Sequence, residues 1–215
     1  MSLVGIPSIA QLWDSADAAQ WDGALERYWS YLKPANVELE HEMEALTPAA
    51  VEHLDAAGWL DFLLQRYFRW KYTAPNRYAT TTAALKRQVD RIGGDELLRI
   101  RDRILTALDG PADKALTAAC EIGGLGPAGA SGLLALLRPR AFATIDQFVA
   151  KALGEVPSLP ERESVRRMSP EGLTIRDGVV LITIMRRKAA SLNAAFDADS
   201  WTPRKVDMVL WTYGR

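Results

Sequence analysis

The chain has 215 residues, 26 Lys+Arg against 27 Asp+Glu, and a formal net charge of −1; 48% of it is apolar and 25% charged, the profile of a globular protein with chain enough for one large domain or two small ones. Its single cysteine, Cys120, excludes a disulfide framework, a cysteine-rich zinc site and a four-cysteine iron–sulfur cluster, and its two histidines, His41 and His53, leave little for an imidazole metal site. The start through Pro7 lacks the basic region of a signal peptide, and the run Val179 to Met185 is too short to span a bilayer, so a cytoplasmic protein without a membrane partner is expected.

In chain order the pattern reads helix almost throughout. Residues 9–33 carry Trp21, Leu25, Tyr28, Trp29 and Leu32 at spacings of three and four, and Pro34 is read as the end of that stretch. Glu38, Glu40, Glu42 and Glu44 read as an acidic, solvated segment. Thr47-Pro48 is a helix start, with Thr47 as cap, for a helix broken at Gly58. A further helix is expected from Trp59 to about Trp70, then a loop over Thr73–Asn76. Residues 79–92 form an amphipathic helix ended by Gly93-Gly94, and Asp95 is read as the cap of the helix that runs on to Leu108. After the turn Asp109-Gly110-Pro111, residues 112–122 are helical again. Residues 155–175 predict a short helix between loops. The β-branched run 179–184 is open to a strand reading, but its apolar continuation to Phe196 favours a long buried helix. The expected fold is therefore all-α, a compact multi-helix array.

The charge is unevenly spread. Residues 1–64 hold 2 basic and 11 acidic side chains, whereas residues 65–215 carry a net +8. This asymmetry divides the chain into an acidic N-terminal helical segment, 1–64, packed on a main domain, 65–215. It suggests either an electrostatic surface with a partner or acidic and basic faces that merely pack.

The most informative stretch is 112–153. An apolar helix meets Gly123-Gly124-Leu125-Gly126-Pro127, a second apolar helix runs to Leu137, and Arg138-Pro139-Arg140 leads to Thr144-Ile145-Asp146 and a third helix. Glycine permits a tight turn at positive φ and lets backbone N–H groups approach an anion, and a helix N-terminus adds a favourable dipole. A turn of this kind can grip a DNA backbone without reading sequence; any tight helix–helix turn can also use these glycines.

Gly124-Leu125-Gly126, Ala130-Ser131, Pro139 and Thr144-Ile145-Asp146 resemble the helix–hairpin–helix/Gly-Pro-Asp superfamily of DNA glycosylases, on the side of the 8-oxoguanine glycosylase-like bacterial proteins. The terminal Arg204–Arg215 and the segment Trp70–Tyr78 resemble the same family and widen the likeness to most of residues 60–215. The resemblance implies a DNA-repair protein that takes DNA as its partner and needs no cofactor. No metal is expected, and the candidate DNA contacts are Gly124, Gly126, Pro127 and Ala128 at the turn, Arg77, and Arg138 and Arg140, which flank the second helix and read equally as solvated loop arginines. Asp146 would be the catalytic carboxylate that stabilises the positive sugar as the base leaves a flipped-out nucleotide. Asp146 also reads as a plain helix N-cap, and one residue can do both. Ala128 stands where the family's bifunctional members carry a Schiff-base lysine, so hydrolysis without lyase chemistry is expected. The alternative is a non-catalytic DNA-binding or protein-interaction relative that keeps the helical fold.

Other candidates have bland readings beside the functional ones. Arg66, Arg69, Lys71 and Arg77 interleave with Tyr67, Phe68, Trp70, Tyr72 and Tyr78, a pattern that suits base stacking and phosphate contact or, at helical spacing, core packing. Trp211 is read as buried packing, and Asp207 as a structural partner of Arg204.

Overall fold

The computed structural model describes residues 6–215; Met1–Gly5, on which part of the signal-peptide reading rests, lie outside the described residues. These residues form helices joined by turns and loops, with no strand among them. Among the described residues no helix is long and apolar enough to cross a membrane, and the run at 179–185 belongs to a helix.

The first third forms α1 (Ile9–Trp13), α2 (Ala18–Tyr31), α3 (Pro34–Glu44), α4 (Pro48–Glu52) and α5 (Ala56–Asp61). Pro34 opens α3 rather than merely ending what precedes it, because a proline without an N–H costs nothing in a first helical turn. The acidic segment is therefore helical, and Glu40 within it is buried. Thr47 caps α4 as expected, its hydroxyl accepting from the Ala50 N–H at 3.2 Å. The helix from Pro48 stops at Glu52, well before Gly58, which lies inside α5.

A π-helical segment, Phe62–Tyr67, follows α5 and leads directly into α6 (Phe68–Lys71). Its wider turn shifts the phase of the helix, so a 3.6-residue period does not describe the stretch from Trp59 to Trp70. Next come α7 (Pro75–Ile92) and α8 (Gly94–Ala107), separated by Gly93 at φ +79°. Pro75 starts α7 inside the segment read as a loop, and Gly93 rather than Asp95 is the N-cap of α8.

The chain continues through α9 (Ala112–Ala119), α10 (Pro127–Leu137), α11 (Gln147–Gly154), α12 (Arg162–Arg166), α13 (Ile175–Phe196) and α14 (Pro203–Gly214). The β-branched run is helical, as its continuation argued, and α13 packs on α9 and α14. Helix α10 is buried along almost its whole length, which explains why it is apolar on every side. One apolar core joins residues from both parts of the charge division, including Trp21, Met43 and Trp59 from residues 1–64 and Leu134, Ile182 and Leu210 beyond it. Helix α14 is central to the architecture, packing on α2, α11 and α13.

Candidate functional site

A cavity of about 690 Å³ opens where α3, α6, the α9–α10 turn, α11 and α14 meet. Gly124, Gly126, Pro127 and Ala128 form one wall, Asp146 and Phe148 another, and Trp70, Lys71 and Tyr72 a third. Exposed Arg69, Arg77 and Glu171 stand at its edge. Its size lies within the roughly 300–1,000 Å³ of ordinary ligand pockets.

The α9–α10 turn is built by α7. Gly124 adopts φ +90°, and a Cβ there would lie 2.9 Å from both Thr81 Cγ2 and the Thr81 carbonyl oxygen. Only glycine meets both demands. Gln88 brackets the turn, its amide donating to the Glu121 carbonyl at 2.6 Å and its Oε1 accepting from the Gly123 N–H at 2.6 Å. Gly126 is different: its backbone is extended at φ −91°, and a Cβ there would meet nothing within 4 Å. It faces the open cavity. The first turn of α10, from Pro127, borders the same cavity and has no side-chain cap, and a helix N-terminus favours an anion.

Asp146 serves as the N-cap of α11. Its Oδ1 accepts from Phe148 N–H at 2.9 Å and Val149 N–H at 3.0 Å. Its Oδ2 makes no hydrogen bond among the described residues, and the residue lines the cavity. One carboxylate thus caps a helix with one oxygen and leaves the other unpaired, in a residue that lines the cavity.

The segment that presents Asp146 is pinned on both sides. Ser131 on α10 accepts from Ile145 N–H at 2.9 Å while donating to the Ala128 carbonyl at 3.0 Å. Asp207 on α14 accepts from Thr144 N–H at 2.6 Å. Asp207 in turn belongs to a buried ion cluster. Arg204 reaches Asp207 at 2.6 Å, Glu44 at 2.8 Å and Glu40 at 2.9 Å. Glu40 is satisfied further by Tyr28 Oη and Trp70 Nε1, each donating at 2.7 Å.

The electrostatics follow from three carboxylates around one guanidinium. Burial works against the charge of Arg204, and Asp207, Glu44 and Glu40 more than offset it, so Arg204 stays charged. Burial pushes the Asp207 carboxyl up to about 7, against the pull of Arg204 and the Thr144 N–H. Burial also raises the Tyr28 hydroxyl, with Glu40 adding to it. Lys71 is pulled down from the usual amine range by burial, and Asp146, Asp207 and Glu40 partly offset that.

The structure therefore brings Gly124, Gly126, Pro127, Ala128, Asp146 and Arg77 to one cavity. Arg138 and Arg140 do not line it. Arg138 pairs with Asp109 at 3.0 Å and Arg140 with Asp199 at 3.6 Å, both at the surface. Of the basic–aromatic stretch, Tyr67 and Phe68 are core, while Arg69, Trp70, Lys71 and Tyr72 reach the cavity. Trp211 is half-buried and part of the cavity wall rather than fully packed. Asp207 pairs with Arg204, as its position three residues on suggested. The contributions of Glu40, Glu44 and Tyr28 had one sequence signal: Glu40 and Glu44 lie four apart and so share a helix face.

Among the described residues no group of three or more His, Cys, Asp or Glu is placed to hold a metal ion. No protein-family model, curated protein or solved structure matches the chain.

Proposed function

We propose that this protein binds DNA through the α9–α10 turn and hydrolytically excises a damaged base from a nucleotide turned out of the duplex into the cavity. The observation that carries the reading is the pairing of Asp146 Oδ2 with the Gly124–Ala128 wall in one cavity of about 690 Å³. Phosphate is held at the bare backbone of Gly126 and the start of α10, with Arg77 and Arg69 at the edge adding charge. The base stacks against the aromatic wall of Trp70, Tyr72 and Trp211. Asp146 then faces the sugar carbon, where its negative charge stabilises the cation that develops as the glycosidic bond breaks, and it accepts a proton from the attacking water.

The alanine at position 128 offers no amine at the turn, so the excision step is hydrolysis. The Arg204 cluster supports the site indirectly. By fixing Asp207 it fixes the Thr144–Asp146 segment, and with it the direction of the carboxylate.

The test is a base-release assay on duplex oligonucleotides carrying 8-oxoguanine, uracil or alkylated purines. Release from one of these by the purified protein is the expected result. DNA binding that weakens with rising salt, without release from any of them, supports the non-catalytic alternative instead.

A further inference from the structure

We propose that Tyr31, Trp211 and Arg215 form a second nucleic-acid subsite beside the cavity, one that stacks an unpaired base of the strand leading out of it and holds that strand's phosphate. This rests on the DNA-binding reading of the cavity but not on base excision.

Trp211 on α14 lines the cavity, and two rings hold its indole in place. Tyr28 on α2 meets it edge-on at 5.6 Å, and Phe148 on α11 does so at 6.1 Å. The Arg215 guanidinium lies over the same indole, 4.8 Å from its centroid, and 5.4 Å from the centroid of Tyr31. Tyr31 stands one helical turn after Tyr28 and is 48% exposed, where most aromatic side chains of this protein are covered. Arg215 is exposed too, and among the described residues its side chain makes no ion pair and no hydrogen bond.

Charge singles out the same place. Residues 1–64 hold 11 acidic side chains and only two Lys or Arg, and both lie here: Arg27 one turn before Tyr31 and Lys33 two residues after it. Arg27 donates to Tyr213 Oη and lies 5.0 Å from the centroid of that ring. Among the described residues neither Arg27 nor Lys33 pairs with a carboxylate, whereas surface arginines such as Arg66, Arg138 and Arg187 do. Cations retained only to join α2 to α14 would be expected to find a carboxylate in so acidic a segment. Exposed rings interleaved with unpaired cations are instead the pattern that binds an unpaired strand, with bases on the rings and phosphates on the cations. The planar guanidinium of Arg215 occupies the place on the indole that a planar base would take. Base stacking outweighs an exposed cation–π contact, so an incoming base displaces Arg215 from the ring and frees it for the adjoining phosphate. Because Trp211 also lines the cavity, the platform begins where the cavity ends.

The experiment follows binding of the full-length protein by fluorescence anisotropy, using an oligothymidylate that carries one 5-iodouracil, single-stranded and annealed into a duplex. Irradiation then fixes the contact, and peptide mass spectrometry maps it. The expected result is a crosslink of the single strand to Tyr31 or Trp211. Tyr31→Ala, an exposed site that should melt as the wild type does, is expected to weaken single-strand binding about 5-fold or more. Arg215→Gln is expected to reduce the slope of log affinity against log salt by about 0.7, the loss of one phosphate contact. A crosslink confined to other residues, wild-type affinity in Tyr31→Ala, or an unchanged slope in Arg215→Gln overturns the proposal. Gly126→Ala separates the two readings. Duplex binding that falls in Gly126→Ala, with single-strand binding untouched by Tyr31→Ala, keeps the turn and removes the platform. Single-strand binding that falls in Tyr31→Ala but not in Gly126→Ala, without duplex binding, does the reverse, and binding of neither oligomer removes both.

Discussion

Arg204 at the start of α14 meets Glu40 on α3 at 2.9 Å, with both side chains almost fully buried and 164 residues of chain between them. This contact ties the acidic first third to the helix that holds the Thr144–Asp146 segment. A buried charge left without its partner is costly, so loss of Arg204, the one cation among three carboxylates, should be severe. Glu40→Ala leaves Tyr28 Oη and Trp70 Nε1 without their acceptor while Arg204 keeps Glu44 and Asp207, and should destabilise by about 1–3 kcal/mol. Arg204→Met leaves Glu40, Glu44 and Asp207 facing one another without a cation and should cost more, about 3–5 kcal/mol at neutral pH. Acidification should narrow the Arg204→Met loss, because protonation relieves that repulsion. Urea denaturation at two pH values measures both effects.

Asp207 gives the fold a pH dependence of unusual sign. Its carboxyl is raised to about 7 in the folded protein, above the 3.8 of a free side chain. The folded state therefore holds the proton over a window in which the unfolded state has lost it. The corresponding stability is fully present below about pH 4 and is lost as pH rises toward 7. Asp207→Asn cannot titrate. Relative to that variant, the wild type should lose stability as pH rises from about 4 to about 7, read as thermal midpoints of the two proteins across this range. A constant difference over the window contradicts the assignment.

Gly124 and Gly126 separate fold from binding. Gly124→Ala puts a methyl at positive φ and against Thr81, and should cost about 1–3 kcal/mol. Gly126→Ala has room and an ordinary backbone, so its cost should stay under about 1 kcal/mol. Its methyl instead covers the face offered to phosphate. Fluorescence anisotropy on a duplex should show weaker binding for Gly126→Ala at a nearly unchanged melting temperature.

Asp146→Ala tests the capping role alone. It removes the acceptor for the Phe148 and Val149 N–H groups and should destabilise by about 1 kcal/mol, measured by thermal melting. Asp146→Asn keeps a side-chain oxygen in the same place and should melt near the wild type.

The all-α fold was legible because helical period, prolines and glycine stops repeat along most of the chain. The departures have specific causes. Pro34 and Pro75 start helices where they were read as a stop and a loop residue, since a proline fits either side of a helix boundary. The π-helical turn at Phe62–Tyr67 broke the period that sequence reading relies on. The glycine turn and Asp146 were legible because their chemistry is local, carried by residues close in sequence. Glu40 was not, because a glutamate in an acidic run gives no sign that a guanidinium more than 160 positions away will bury it. The charge count misled in the same way. Much of the basic surplus in residues 65–215 is spent on surface pairs such as Arg103 with Glu121 and Arg187 with Glu161, leaving Arg69, Lys71 and Arg77 for the cavity.

The most direct measurement compares the single-turnover rate of base release by the wild type with that of Asp146→Asn, on the oligonucleotide the wild type processes best. Because asparagine preserves the cap, the two proteins should melt alike while the variant's rate falls by about 100-fold or more, the size expected for loss of a transition-state charge contact. Release by Asp146→Asn at the full wild-type rate would contradict the account, removing Asp146 from the chemistry and leaving it only the end of a helix.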